Sequence, residues 1–153
     1  MDPADDGFFE RLRIREAAER YFHCADSHDA AGVARCFARE GLFRSASQTE
    51  MRLQGRAAIE EGFRGFAKMG RTCHLISSMA IDLDGEQASS RLLGVSFWPG
   101  AARPGDPIRV RGLAYDDRWI VEDGAWVIAE RVHEALWQFE SVQIHTLLPT
   151  TTA

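Results

Sequence analysis

The chain has 153 residues, 23 acidic against 18 basic, and a formal net charge of −5. That length supports one core, which buries roughly two thirds of the surface the unfolded chain exposes, and leaves nothing for a second. The charges are scattered with no basic block, so a nucleic-acid or anionic-membrane surface finds no support.

Cys24, Cys36 and Cys73 are odd in number and lack C-x-x-C spacing, so neither a disulfide framework nor a structural zinc site is expected, only reduced, mostly buried thiols. Met1 to Gly7 is acidic, without the positive start and apolar run of a secretory leader, and is expected to be flexible. No stretch reaches transmembrane length. The expected location is the cytoplasm.

From Phe8 to Ala25 the apolar residues Phe8, Leu12, Ile14, Ala17, Ala18, Tyr21, Phe22 and Ala25 recur at threes and fours, with Arg and Glu on the other side, which predicts an amphipathic helix. Ser27 and Asp29 offer capping oxygens to a second, shorter helix through Ala30, Val33, Ala34 and Phe37, stopping near Gly41. Leu42 to Ala46 and Met51 to Leu53 read as minor strands. After Gly55, the stripe Ile59, Phe63 and Phe66 predicts a third helix that ends around Met69-Gly70.

Beyond Thr72, β-branched and aromatic residues dominate, and turn signals at Asp84-Gly85, Pro99 to Pro107 and Asp123-Gly124 delimit four long strands. They run approximately Thr72 to Leu83, Gln87 to Trp98, Ile108 to Glu122 and Ala125 to Trp137. Strands this long rarely stay flat, so bulges and strong coiling are expected to bend an antiparallel sheet into a half-open cone that the helices close. Helices first and a long meander last exclude a doubly wound parallel sheet, and no glycine-rich phosphate loop occurs. Residues 8–138 form the domain. Residues 139–153, with Pro149 and a Thr run, are a tail that is disordered in part or packs on a neighbouring subunit.

The combination of Tyr21 and Asp26 ending the first helix, Gly55-Arg56-Ala57-Ala58-Ile59, His74 opening the first long strand, Gly112-x-x-Tyr115 and Asp123-Gly124-Ala125-Trp126-Val127-Ile128 with Arg131 resembles the SnoaL-like branch of the nuclear-transport-factor-2-like superfamily. The resemblance covers about residues 8 to 138 and implies an α+β, cone-shaped roll of the cystatin-like type. Because that fold hosts dehydratases, isomerases, cyclases and plain binding modules, it implies little about function by itself. The placement of Asp26 and His74 is similar to the Asp/His dyad of γ-hexachlorocyclohexane dehydrochlorinase, and Tyr21 with them resembles the bile-acid 7α-dehydratase arrangement; scytalone dehydratase is a more distant relative. In such enzymes the histidine removes a proton and the aspartate orients and polarises it. Arg131 falls where the dehydrochlorinase places a pocket arginine. Leu42-Phe43-Arg44 lacks the early-strand acid of ketosteroid isomerases, which disfavours that chemistry.

The residues themselves leave alternatives open. Ala18, Phe22 and Asp26 are spaced by fours, which puts the carboxylate on the inward stripe and near the unfavourable end of the helix dipole, so that it needs a partner; otherwise it caps the turn, a role Asp29 fills better. His74 is either the base, imidazole having an ordinary pKa of about 6.5, or a satisfied strand histidine. Tyr21 is core, with a hydroxyl available to a substrate oxygen. Arg131 is either a buried cation needing an anion or substrate, or a surface partner of Glu130 or Glu134. His133, on the same face, is a second candidate acid across the cavity. At least one of the four tryptophans is expected to line the pocket. His23 and His28 read as exposed, and no spacing makes a metal site.

The first expectation is therefore a cofactor-independent lyase, of dehydratase or dehydrohalogenase type, acting on a mostly apolar cyclic small molecule. The alternative is a non-catalytic small-molecule binder, or a small structural subunit similar to the β subunit of ring-hydroxylating dioxygenases. Long strands with an apolar outer face also lead to an expected homodimer or homotrimer.

Overall fold

In the computed structural model, which describes residues 3–68, 70–99 and 106–142, the opening amphipathic segment is a helix, α1 (Pro3–Asp26), that begins before Phe8. Ile14, Ala17, Ala18, Tyr21 and Phe22 form its buried stripe, while Phe8 and Leu12 stand 63% and 43% exposed because the first turns run past the end of the core. His28, at φ 60°, turns the chain out of α1. Asp29 caps α2 (Ala30–Arg35) by accepting the Gly32 N–H at 2.8 Å, whereas the Ser27 hydroxyl donates back to the His23 carbonyl at 2.6 Å.

The second helix stops earlier than its composition predicts. Phe37 is already in β1 (Phe37–Ser45), paired with Ile128, and this long-range pairing takes residues that local periodicity assigns to a helix. β1 continues through the predicted Leu42 segment and pairs with β2 (Arg52–Gln54); α3 (Arg56–Ala67) follows. Only Ile59 of α3 is fully buried, so Phe63 and Phe66 are left as partly covered side chains along one wall of a cavity.

The four long strands are β3 (Cys73–Asp84), β4 (Gln87–Trp98), β5 (Pro107–Glu122) and β6 (Ala125–Val142). They form one sheet in the order β2-β1-β6-β5-β4-β3, antiparallel except that β1 runs parallel to β6. Irregularities between Ile76 and Ser78, Gly112 and Leu113, and Arg118 and Trp119 break the register, and such bulges bend strands and increase their twist. The result is an α+β cone whose curved, unclosed sheet is covered by the helices. The core fills its narrow part with Ile14, Phe37, Leu92, Trp119 and Ile128.

β6 runs five residues beyond the predicted Trp137 end, carrying Phe139 into the sheet beside Val110. The remainder of the predicted tail, and most of the Pro99 to Pro107 turn, lie outside the described residues. Cys24 and Cys36 are buried, and Cys73 is exposed on the first residue of β3. No helix of the described residues is long and apolar enough to cross a membrane.

Candidate active site

Alternation along the strands decides what faces the helices. On β5, Arg109, Arg111, Leu113 and Tyr115 point one way, and on β6 His133, Ala135 and Gln138 join them, the bulge at Gly112/Leu113 keeping both sets in phase. With α1, α2 and α3 above, they enclose a cavity of about 430 Å³. That lies within the range of about 300–1,000 Å³ usual for small-molecule sites.

Asp26 is the last residue of α1 and His74 the second of β3. Their side chains meet: His74 Nδ1 lies 2.6 Å from Asp26 Oδ1, and the His74 backbone N–H donates to Oδ2 at 2.8 Å. The Thr72 hydroxyl donates to Oδ1 at 2.7 Å. Burial acts to raise the Asp26 pKa, but the bonds from the His74 ring, Thr72 and the His74 backbone outweigh it and hold the carboxyl below its ordinary value. An ionised acceptor at Oδ1 places the imidazole proton on Nδ1 and leaves the lone pair on Nε2. His74 lines the cavity, and its ring packs on Phe22 at 5.3 Å. The dyad is only partly buried, with 12% of the His74 side chain and 26% of that of Asp26 exposed.

Tyr21 and Tyr115 line the cavity as a pair of edge-on rings, centroids 6.4 Å apart. Desolvation pushes the Tyr21 phenol up to about 12 and Tyr115 well above its ordinary value, so both remain protonated and able to donate. Behind them lies Arg131, which is 0% exposed and does not reach the cavity. Its Nε and Nη2 each bond Asp117 at 2.7 Å, and its guanidinium carbon stands 4.1 Å from the Tyr21 ring centre and 4.9 Å from that of Tyr115. Its partner is thus the buried Asp117, neither substrate nor Glu130 or Glu134. Nη1 has no hydrogen-bond partner among the described residues, and the Tyr21 and Tyr115 rings lie against the guanidinium.

His133 lines the cavity between Phe43, on which it stacks at 6.4 Å, and Tyr115 at 5.3 Å. Burial first, and then chiefly the positive charge of Arg111, push its pKa down to about 4. At neutral pH it is an uncharged imidazole, which removes it as an imidazolium acid and leaves it as a neutral hydrogen-bonding group. His28 is exposed but stands at the cavity rim, its Nε2 3.1 Å from the Gly70 carbonyl oxygen. Trp98 is the tryptophan that lines the cavity; Trp119 and Trp126 are core, and Trp137 lies on the outer face of the sheet.

Several lining groups were not singled out in the sequence: Ser96, Arg109, Arg111 and the hydroxyl of Tyr115. The period-two row Arg109, Arg111, Leu113, Tyr115 was there to be read, but which face of β5 looks inward depends on the tertiary structure. No group of three or more His, Cys, Asp or Glu side chains suited to a metal occurs among the described residues.

Residues 9–132 match the SnoaL-like domain, and the chain belongs to that family. No curated protein matches the sequence. Among solved structures, the D26N form of Rv3472, a protein of unknown function from Mycobacterium tuberculosis, is 30% identical with a TM-score of 0.78 over 88% of this chain and 76% of its own. A candidate scytalone dehydratase from Novosphingobium aromaticivorans is 18% identical with a TM-score of 0.81, covering 98% of this chain and 99% of the other. An NTF2-like protein with a cystatin-like fold from the same organism is 22% identical, TM-score 0.69, over 88% and 90% of the two chains. The last two likenesses establish the fold alone.

Proposed function

We propose that this protein is a cofactor-independent lyase of dehydratase or dehydrohalogenase type, working in the cytoplasm on a largely apolar cyclic small molecule. His74 Nε2 removes a proton from the carbon next to the one bearing the leaving group. The C–H electron pair becomes the new carbon–carbon double bond as the bond to hydroxyl or halide breaks. A halide departs as the anion; a hydroxyl departs as water, using the proton held on His74. Asp26 holds the ring by Nδ1 and stabilises the imidazolium that forms, a pairing of the kind worth about two to four orders of magnitude in rate. Tyr21 and Tyr115, kept protonated by burial, donate to the substrate oxygen or halide.

The observation that carries this reading is the 2.6 Å Asp26–His74 contact beside a cavity of substrate size. The test is a thermal-shift screen of hydroxylated and halogenated polycyclic compounds, followed by absorbance assays for the new double bond. Asp26→Asn and His74→Ala are expected to abolish turnover of any hit while keeping its binding. Turnover surviving in either variant removes the dyad from the mechanism, and hits that bind but are never converted favour the non-catalytic binder.

We also propose self-association through the outer sheet face. Leu75, Val95 and Trp137 fall in one register row with Gly112, and Phe97, Val110 and Phe139 in the next with Cys73, all opposite the cavity. Trp137 and Phe139 stack at 6.1 Å while about half exposed, which favours a second copy of this chain as their cover. Sedimentation velocity reading a dimer or trimer supports this, and a monomer at all concentrations removes it.

A further inference from the structure

His74, Ser96, Arg111 and Gln138 form one rung across β3, β4, β5 and β6. All four line the cavity. Two strand spacings separate the backbones of His74 and Arg111, about 10 Å. One wall of the cavity therefore carries an imidazole at one end and a guanidinium at the other, with the buried Ser96 between them.

The guanidinium is held in place by neutral groups. Ser96 Oγ accepts the Trp98 indole N–H at 3.0 Å, which fixes the ring, and the Arg111 guanidinium carbon lies 5.7 Å from the centre of that ring. Arg111 Nε donates to Gln138 Oε1 at 2.7 Å. Its two terminal nitrogens have no hydrogen-bond partner among the described residues, and no carboxylate pairs with it there. Arg109, one rung nearer the loop, differs in being bound to Glu140 at 3.0 Å. Desolvation, and then the charge of Arg109, pull the Arg111 pKa down, so the site works against its own cation. An anion in the cavity relieves both effects, and the free end of a guanidinium is shaped for the paired oxygens of a carboxylate.

We infer that the substrate is an acid: a cyclic, mostly apolar body carrying an anionic oxygen group, such as a carboxylate, that Arg111 binds through its terminal nitrogens while the reacting carbon lies at His74. This rests on the cavity being the substrate site proposed above, and not on the reaction performed there.

The test uses the full chain and two probes of equal shape, 2-naphthoate and its neutral counterpart 2-naphthamide, titrated by calorimetry. Wild type is expected to bind the carboxylate about tenfold more tightly than the amide. Arg111→Gln brings the two affinities together, and Arg111→Lys, which keeps charge but not the planar fork, retains part of the preference and carries the test if the glutamine variant does not fold. Equal affinity in wild type, no binding of naphthoate, or a full preference in either variant overturns the inference. Selectivity is read without turnover, so a preference that holds while no elimination is found sinks the lyase reading alone.

Discussion

Asp26 and His74, 48 positions apart, are bonded twice, once through the ring at 2.6 Å and once through the His74 backbone N–H at 2.8 Å. The backbone bond ties the start of β3 to the end of α1, so the imidazole is aimed by the fold before any substrate arrives. With Thr72, three donors converge on one carboxylate.

Asp26→Asn therefore affects more than chemistry. The amide keeps one oxygen and turns an NH₂ toward a donor, and leaving such a group unmatched costs about 1–2 kcal/mol. Urea unfolding is expected to register that loss. In the same variant, ¹⁵N spectra of His74 are expected to pass from one tautomer, protonated at Nδ1, to a mixture of both.

Arg131 and Asp117 are both without exposed side-chain area. Arg131→Met alone strands a buried carboxylate and is expected to cost about 3–5 kcal/mol, whereas Arg131→Met with Asp117→Leu recovers most of it. A double-mutant cycle by denaturant unfolding measures the difference. If the single and double variants are equally unstable, the pair is not what the site loses.

His133 makes stability depend on pH. In the unfolded chain its imidazole takes up a proton below about 6.5, while the folded ring refuses one until about pH 4. Its contribution is complete above pH 6.5 and is lost progressively as the pH falls toward 4. Between pH 7.5 and 5 the loss is about 2 kcal/mol. His133→Gln is expected to flatten that part of the profile. Asp26, with its pKa lowered, adds a separate loss at pH values below about 3.9.

Two glycines on neighbouring strands respond differently to a methyl group. At Gly94 a Cβ would stand 2.6 Å from the Leu75 carbonyl oxygen, backbone that cannot move without shifting β3, so Gly94→Ala is expected to cost about 1–3 kcal/mol. At Gly112 the obstacle is the Trp137 ring, 2.1 Å from the Cβ position, a half-exposed side chain rather than backbone. Gly112→Ala is expected to cost less and to shift tryptophan fluorescence.

Where local pattern and burial agree, the elements were legible: the inward stripe of α1, the stripe of α3 and the turns that separate the long strands. They diverge at Phe37, where pairing with Ile128 outweighs helical spacing, and at Phe8 and Leu12, whose periodicity carries on past the core that would cover them. Arg131 combines both cases. Its inward parity was readable, but its depth was not, because the residue that neutralises it is reached only across β5 and β6.

The amino-acid order by itself determined the class of fold and the two groups worth watching, since helical and strand periods and turn chemistry act over a few residues. Only the tertiary structure decided which charges are spent and which are available: Arg131 closed by Asp117, Arg111 open to the cavity, His133 neutral. Those outcomes depend on register across the sheet and on desolvation, and both are properties of distant residues brought together.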